Sequence, residues 1–313
     1  MNRLIIIDGN AILHRAFHAL PPLTAPNGTV VNAVYGFTSM LIRLVGDLTP
    51  THLAVAFDRP APTFRKKLFA DYQIKRPKMD DSLAAQIPLV HDVVRAMNIP
   101  IFEIDGFEAD DVIGTLCATH RDAMDQIIVV TGDRDLLQLV TEKIKLYMPT
   151  KGLSEAKLYG TKETIERLDV LPNQIPDYKA LAGDSSDNYP GVPGIGPKTA
   201  SDLLHTYQSI EKLYDTVHTA NISPAIKEKL EKNKELAFLS KELATIKIDV
   251  PIDTTIPTVD ASQFKSEPVI TMLQQFGFHS LMKRMQTSDD TNTQNKKKKE
   301  ERKQAIDSQM SLL

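Results

Sequence analysis

The sequence predicts an α/β protein built on an open sheet, and three observations carry that prediction. Apolar, β-branched runs stop on an acid three times: Leu4 to Ile7 runs into Asp8, Leu53 to Phe57 into Asp58, and Ile127 to Val130 into Asp133 after Thr131-Gly132. Strands buried on both faces read as such unbroken runs, and ligands of open α/β sheets sit outside the carboxyl ends of the strands. A chain of 313 residues with 42% hydrophobic content can bury one large domain and a smaller one. Finally, Gly191-Val192-Pro193-Gly194-Ile195-Gly196-Pro197-Lys198-Thr199-Ala200 reads as glycine turns feeding a helix, with Pro197 suited to the first helical position and Ala200, Leu203 and Leu204 on one face.

The acids at the strand ends are joined by Glu108-Ala109-Asp110-Asp111, by Asp135, and by Asp184-Ser185-Ser186-Asp187. Taken singly, each reads equally well as a turn former, an N-cap or a complement to a helix dipole. Five clusters with the same bias are another matter. Nine carboxylates brought to one crevice raise one another's pKa and cost stability unless cations neutralise them. The eight histidines are scattered, and the only cysteine, Cys117, lies in an apolar helical stretch where a buried inert thiol is expected. Hard oxygen donors select Mg²⁺ or Mn²⁺ over zinc.

The net charge of −3 argues against a nucleic-acid binder, but removing the nine candidate ligand acids leaves +6 for the rest of the surface. The bases are concentrated between Arg59 and Lys78, where Arg59, Arg65, Lys66, Lys67, Lys75, Arg76 and Lys78 face only Asp71, with Phe64, Phe69 and Tyr72 interleaved. Basic side chains bind phosphates and aromatics stack on unpaired bases, so this segment reads as a single-strand contact surface, although Phe69 suits a core position better. The Gly191–Ala200 segment offers bare helix N–H groups to a DNA phosphate. It is not a Walker A loop, because Pro197 separates Gly196 from Lys198. One cysteine argues against a disulfide framework, and no stretch reaches membrane-helix length or resembles a signal peptide, which gives the expectation of a soluble, cytoplasmic, nucleoid-associated protein with no membrane partner.

Asp8-Gly9-Asn10 with Arg15, Phe57-Asp58 with Phe64-Arg65, Gly106 to Asp111, Thr131-Gly132-Asp133-Arg134-Asp135, Gly183 to Asn188 and Gly191 to Ala200 together resemble the 5′ nuclease domain of bacterial DNA polymerase I, over about residues 1 to 285. Flap endonucleases belong to the same superfamily. The resemblance implies an α/β fold with a mainly parallel central sheet flanked by helices, a PIN-like 5′ nuclease core, at about 1–175. It also implies a helical arch at about 62–98 and a helix-three-turn-helix DNA-binding subdomain with closing helices at 176–285. It implies two Mg²⁺ (or Mn²⁺): Asp8, Asp58, Glu108, Asp110 and Asp111 around the tighter one, Asp133, Asp135, Asp184 and Asp187 around the second. One ion would lower the pKa of an attacking water and the other stabilise the leaving 3′ oxygen. Arg15 and Arg65 would contact the scissile phosphate, and Tyr72 and Arg76 belong to the arch pattern. Gly191, Gly194, Gly196, Lys198 and Thr199 would bind duplex DNA, with K⁺ on the carbonyls of Val192 and Ile195. The family's arch lysine is Gln73 here, and Lys75, Lys78 or Lys66 is expected to replace it.

The implied activity is 5′–3′ exonuclease and flap endonuclease action on branched or nicked duplex DNA carrying a 5′ single-stranded flap, by a monomer, in Okazaki fragment maturation and DNA repair. A PIN-type RNase and a non-catalytic binder of branched DNA are the alternatives. The first is disfavoured by chain length and the Gly191–Ala200 element, the second by the full set of acids. Ile246 to Val259, with Pro251 and Pro257, reads as an extended return to the main body, and Phe264 to Met285 as a closing helical segment. Residues 286–313 read as a disordered, basic tail with no polymerase after it, so a free-standing nuclease is expected. Its end, Gln309-Met310-Ser311-Leu312-Leu313, resembles the peptide by which bacterial replication proteins dock on the β sliding clamp. A tether of roughly twenty residues would raise effective concentration at a junction, whereas a short helix packed on the body explains the same pattern.

Overall fold

The computed structural model describes residues 1–151 and 155–285. Gln309 to Leu313 lie outside the described residues. In chain order the strands are β1 (Arg3–Asp8), β2 (His52–Ala56), β3 (Ile101–Phe102), β4 (Gln126–Val130), β5 (Ile144–Lys151) and β6 (Glu155–Tyr159). They form one six-stranded sheet in the order β3-β2-β1-β4-β5-β6, parallel throughout except for the β5–β6 pair. The expected mainly parallel sheet is therefore present, and the three acid-ending strands are its central neighbours.

The helices are α1 (Gly9–Ala19), α2 (Asn32–Leu48), α3 (Phe64–Leu68), α4 (Asp81–Ala84), α5 (Ile87–Ala96), α6 (Ala109–His120), α7 (Thr161–Leu168), α8 (Ile175–Ala182), α9 (Pro197–Tyr207), α10 (Ile210–Thr216), α11 (Pro224–Lys232), α12 (Lys234–Ala244) and α13 (Glu267–Gln275). They cover both faces. Leu4 and Ile6 of β1 enter one core with Val112, Ile113 and Leu116 of α6 and with Leu181, Leu203 and Ile210 from α8 to α10. Ile5 and Ile7 enter the other, with Leu13, Phe37, Val90 and Val94 from α1, α2 and α5. Side chains alternate across a strand, so double burial turns a period-two pattern into a continuous apolar run. The closing segment joins the second core through Val269, Leu273, Phe278, Leu281 and Met285.

The segment expected to form a helical arch over 62–98 divides in two. Only α3, of five residues, and α4, of four, lie in its first part, and residues 69–80 are turns and irregular chain. The helix α5 is a core helix, because Val90, Val93 and Val94 recur at a spacing that puts them on one buried face. The return segment 246–259 is extended as expected. Lys247 N–H bonds Asp111, Val250 N–H bonds Thr115, and Val259 N–H bonds the Thr51 carbonyl. It passes so close to α6 that a Cβ on Gly114 would lie 2.6 Å from Ile246 and 2.8 Å from the Lys247 carbonyl oxygen.

Candidate metal centre and nucleic-acid interface

The carboxyl ends of β1, β2 and β4 are tied to one another by side chains. Asp8 ends β1 as the N-cap of α1, its Oδ1 accepting from Ala11 N–H at 2.9 Å and its Oδ2 from Thr131 Oγ1 at 2.6 Å. Thr131 in turn accepts from Asp133 N–H at 2.9 Å, and Asn10 Oδ1 accepts from Asp58 N–H at 2.9 Å. Asp58 Oδ1 accepts from Ala109 N–H, the first N–H of α6, at 2.7 Å. The start of α6 thereby brings Glu108 and Asp110 to the same place. One cavity is lined by Asp8, Asp58, Glu108, Asp110, Asp133, Asp135 and Asp187, with Arg76 and Gln73 also in its wall. Asp184 adjoins it: ligand oxygens of Asp135, Asp184 and Asp187 all lie within 4.8 Å of one another.

Electrostatics follow from that crowding. Burial first, then Asp58 and Asp133, push the Asp8 carboxyl up to about 7 against the opposing Thr131 and Ala11 hydrogen bonds. Glu108 is also raised to about 7, by burial foremost and by neighbouring acids. Asp135 is raised to about 6, again by burial foremost, with Lys179 working against it. Asp110 stands well above the ordinary carboxylate range through burial and then Asp133, Asp8, Glu108 and Asp135. Each of these groups holds a proton in the metal-free folded protein at a pH where the unfolded chain, with carboxyl groups near 4, has lost it. Folding then becomes less favourable as pH rises from about 4 to about 7, although Asp184, held low against its burial by Lys179, acts in the other direction. We expect the melting temperature in chelator to fall by several degrees between pH 5 and pH 7.5, and the fall to be smaller in Asp8→Asn. Identical slopes for the two proteins would contradict this account.

Arg65 and Asp111 depart from expectation. Arg65 is 3% exposed, and its guanidinium makes a two-pronged pair with Asp111 at 2.7 and 2.8 Å while donating to the Leu243 and Thr245 carbonyls. Asp111 is fully buried, and its oxygens also accept the backbone N–H groups of Glu108 and Lys247. Its lone pairs are taken, which removes it from the metal-ligand set. Arg65, enclosed against it and 3.4 Å from Glu108 at the cavity wall, spends its guanidinium on pinning α6 to the end of α12. Tyr72 is corrected as well. It is 3% exposed, stacked on Tyr189, with its hydroxyl on Glu108 and Asp187, and so offers no face to a nucleic-acid base.

The remaining expected residues fall as follows. Arg76 lines the cavity, and Lys75 is exposed beside it. Gln73 reaches Asp187, by its amide Nε2 at 3.0 Å and its backbone N–H at 2.8 Å, while Asn188 Nδ2 bonds the Asp71 carbonyl. Arg15 lines a groove next to the cavity with His14, His18 and Asp133. Position 191 requires glycine on two counts: its φ is 61°, and a Cβ would lie 2.3 Å from Gly183 N. Gly196 precedes α9, whose first turn presents Pro197, Lys198 and a half-buried Thr199. The Val192 carbonyl accepts from Ile195 N–H, and the Gly194 carbonyl accepts the Lys229 ammonium at 2.9 Å. Cys117 is buried, with its thiol pushed up to about 12 by burial.

Two residues at the site carry no sequence signal. Lys179 on α8 bonds both Asp135 and Asp184, and those acids lift its ammonium above the ordinary range against the cost of burial. The Tyr189 hydroxyl is buried without a hydrogen-bond partner among the described residues. An orphaned hydroxyl costs free energy, and a water on a bound cation is the kind of partner it lacks. An all-oxygen donor set, an excess of acids and this hydroxyl all fit divalent cations.

An acid-lined cavity at the strand ends of a doubly covered, mainly parallel sheet, walled by a basic segment and followed by a glycine turn entering a helix, is suited to holding divalent cations beside a polyanion. The chain belongs to the 5′-3′ exonuclease family. Residues 3–169 match its N-terminal resolvase-like domain and residues 170–267 its C-terminal SAM fold. It is 41% identical over 289 residues to DNA polymerase I of Caldicellulosiruptor bescii, covering 92% of this chain and 34% of that protein, and 40% identical over 283 residues to DNA polymerase I of Bacillus subtilis, covering 90% and 32%. The chain thus spans about a third of the length of these relatives. Its fold is that of T5 5′-exonuclease with bound zinc (TM-score 0.65, 19% identity, 92% of this chain and 98% of that one) and of the catalytic core of Rad2 in complex with DNA substrate (0.55, 16%, 88% and 91%).

Proposed function

We propose that the chain hydrolyses phosphodiester bonds in DNA as a 5′–3′ exonuclease and flap endonuclease, acting on branched or nicked duplexes in Okazaki fragment maturation and repair. The observation that carries the reading is the single cavity in which Asp8, Asp58, Glu108, Asp110, Asp133, Asp135 and Asp187 meet Arg76. Family membership supports it, as do the neighbours described with metal ions and with DNA.

Asp8, Asp58, Glu108 and Asp110 would hold one Mg²⁺ or Mn²⁺, and Asp133, Asp135, Asp184 and Asp187 the other. Such ions activate water at neutral pH and neutralise charge on a transferring phosphate. The chain's own residues do the rest. Thr131 and Ala11 N–H fix the Asp8 carboxylate, and Ala109 N–H fixes Asp58, so these ligands need no reorganisation. Arg76 supplies fixed positive charge where a phosphate enters, and Arg15 extends that charge along the adjoining groove. The first turn of α9, with Lys198 and Thr199, binds duplex backbone, and the carbonyls of Val192 and Ile195 take K⁺, the former with a lone pair left beside its bond from Ile195 N–H. Lys75 stands in for the arch lysine. The tail peptide Gln309 to Leu313 docks on the sliding clamp of a cytoplasmic replication complex.

A 5′-labelled flap incubated with Mg²⁺ tests the reading. Products bearing a 5′ phosphate and cut near the junction are expected, and an intact flap at saturating metal and protein would overturn it.

A further inference from the structure

Lys179 lies at the centre of the second group of acids. Its ammonium contacts Asp135 Oδ1 and stands 2.5 Å from Asp184 Oδ2, with only 13% of the side chain exposed. Those are two of the three acids whose oxygens cluster within 4.8 Å, and the partnerless Tyr189 hydroxyl is coupled electrostatically to the same lysine and acids. Asp8, in the other group, is held instead by neutral donors, Thr131 Oγ1 and Ala11 N–H, and Arg65, 3.4 Å from Glu108 in that group, is fixed by its pair with Asp111.

A divalent ion bound by Asp135 and Asp184 needs oxygen lone pairs that the ammonium occupies. The two cations cannot share that space, since like charges a few Å apart in a water-poor cleft repel strongly. A lysine has a four-carbon stem with rotatable bonds, so its charge can leave without moving α8. The geometry points to Lys179 as a tethered cation that compensates Asp135 and Asp184 before metal arrives and is displaced by the second ion, weakening that ion's binding. This rests on the two-ion reading above. It gives the two positions different affinities by construction: the second ion must displace an ammonium lying between two of its ligands, whereas Arg65, the guanidinium near the first group, is held away by Asp111 and need not move.

Full-length protein titrated with Mn²⁺ and followed by electron paramagnetic resonance tests it. Wild type should show a tight and a weak class of site. Lys179→Met should tighten the weak class at least about tenfold, leave the tight class within about twofold, and melt several degrees lower in chelator, with the loss recovered in Mn²⁺. Lys179→Arg should keep the weak class weak. Unchanged or weaker binding at the second class in Lys179→Met would overturn the inference, whereas wild type binding no Mn²⁺ would overturn the metal reading itself. Nitrogen-15 spectra of the wild-type lysine ammonium groups give an answer independent of how the variants fold. The Lys179 signal should move to the position of solvated lysines as the second equivalent of Mg²⁺ binds, and a signal unmoved at saturation refutes displacement.

Discussion

Asp110→Asn is expected to slow flap cleavage about a thousandfold or more at saturating Mg²⁺ while leaving duplex affinity within about twofold. Asp110 lies at the start of α6, facing Asp8, Glu108, Asp133 and Asp135, and its carboxyl is raised well above the ordinary carboxylate range by burial and then by those neighbours. Asparagine keeps the shape and the helix start but cannot neutralise a cation. The turn at Gly191 to Lys198, proposed above to bind the duplex, belongs to another part of the chain and is untouched. The same substitution removes one source of like-charge repulsion, so the variant should melt a few degrees higher than wild type in chelator and gain less from added Mg²⁺. Single-turnover cleavage and thermal melting check both halves. Cleavage at the wild-type rate would remove Asp110 from the site.

Arg65→Ala should cost about 3–5 kcal/mol of folding stability, because it strands the fully buried Asp111 without its charge partner. It also leaves the Leu243 and Thr245 carbonyls without a donor and frees the end of α12 from α6. Arg65→Ala with Asp111→Asn should recover part of the loss, since the residual charge disappears. Urea unfolding measures this. A phosphate contact makes the opposite forecast: stability close to wild type with cleavage reduced. That pattern would return Arg65 to the substrate.

What the sequence alone makes legible follows the range of the interactions involved. The three strand-end acids were legible because strands buried on both sides write unbroken apolar runs, and parallel neighbours place their ends together. Glu108 and Asp110 were legible because a helix start writes its acids contiguously. The Arg65–Asp111 pair was not, since residues 46 positions apart meet only once α3 is laid across α6. Seen singly, both look like functional residues: a charged pair hidden in the core carries the same letters as a metal ligand and a phosphate clamp. Tyr72 misled for a similar reason, an aromatic among bases being equally a stacking platform or a wall. Lys179 wrote no pattern at all, being one basic residue on a short helix whose meaning depends on where Gly183 turns the chain.

The alternation along β1, with Leu4 and Ile6 facing one core and Ile5 and Ile7 the other, makes the site sensitive to insertions and deletions in a way that point substitutions do not reveal. Loss of one residue from this strand exchanges the two faces and retracts Asp8 by about 3.3 Å, one strand step, away from Thr131 and the cleft. The segment 218–223 between α10 and α11 has no such parity to keep and can change length without moving an acid. Lineages descending from this fold should therefore vary in the lengths of their loops and hold the residue count from Arg3 to Asp8 constant.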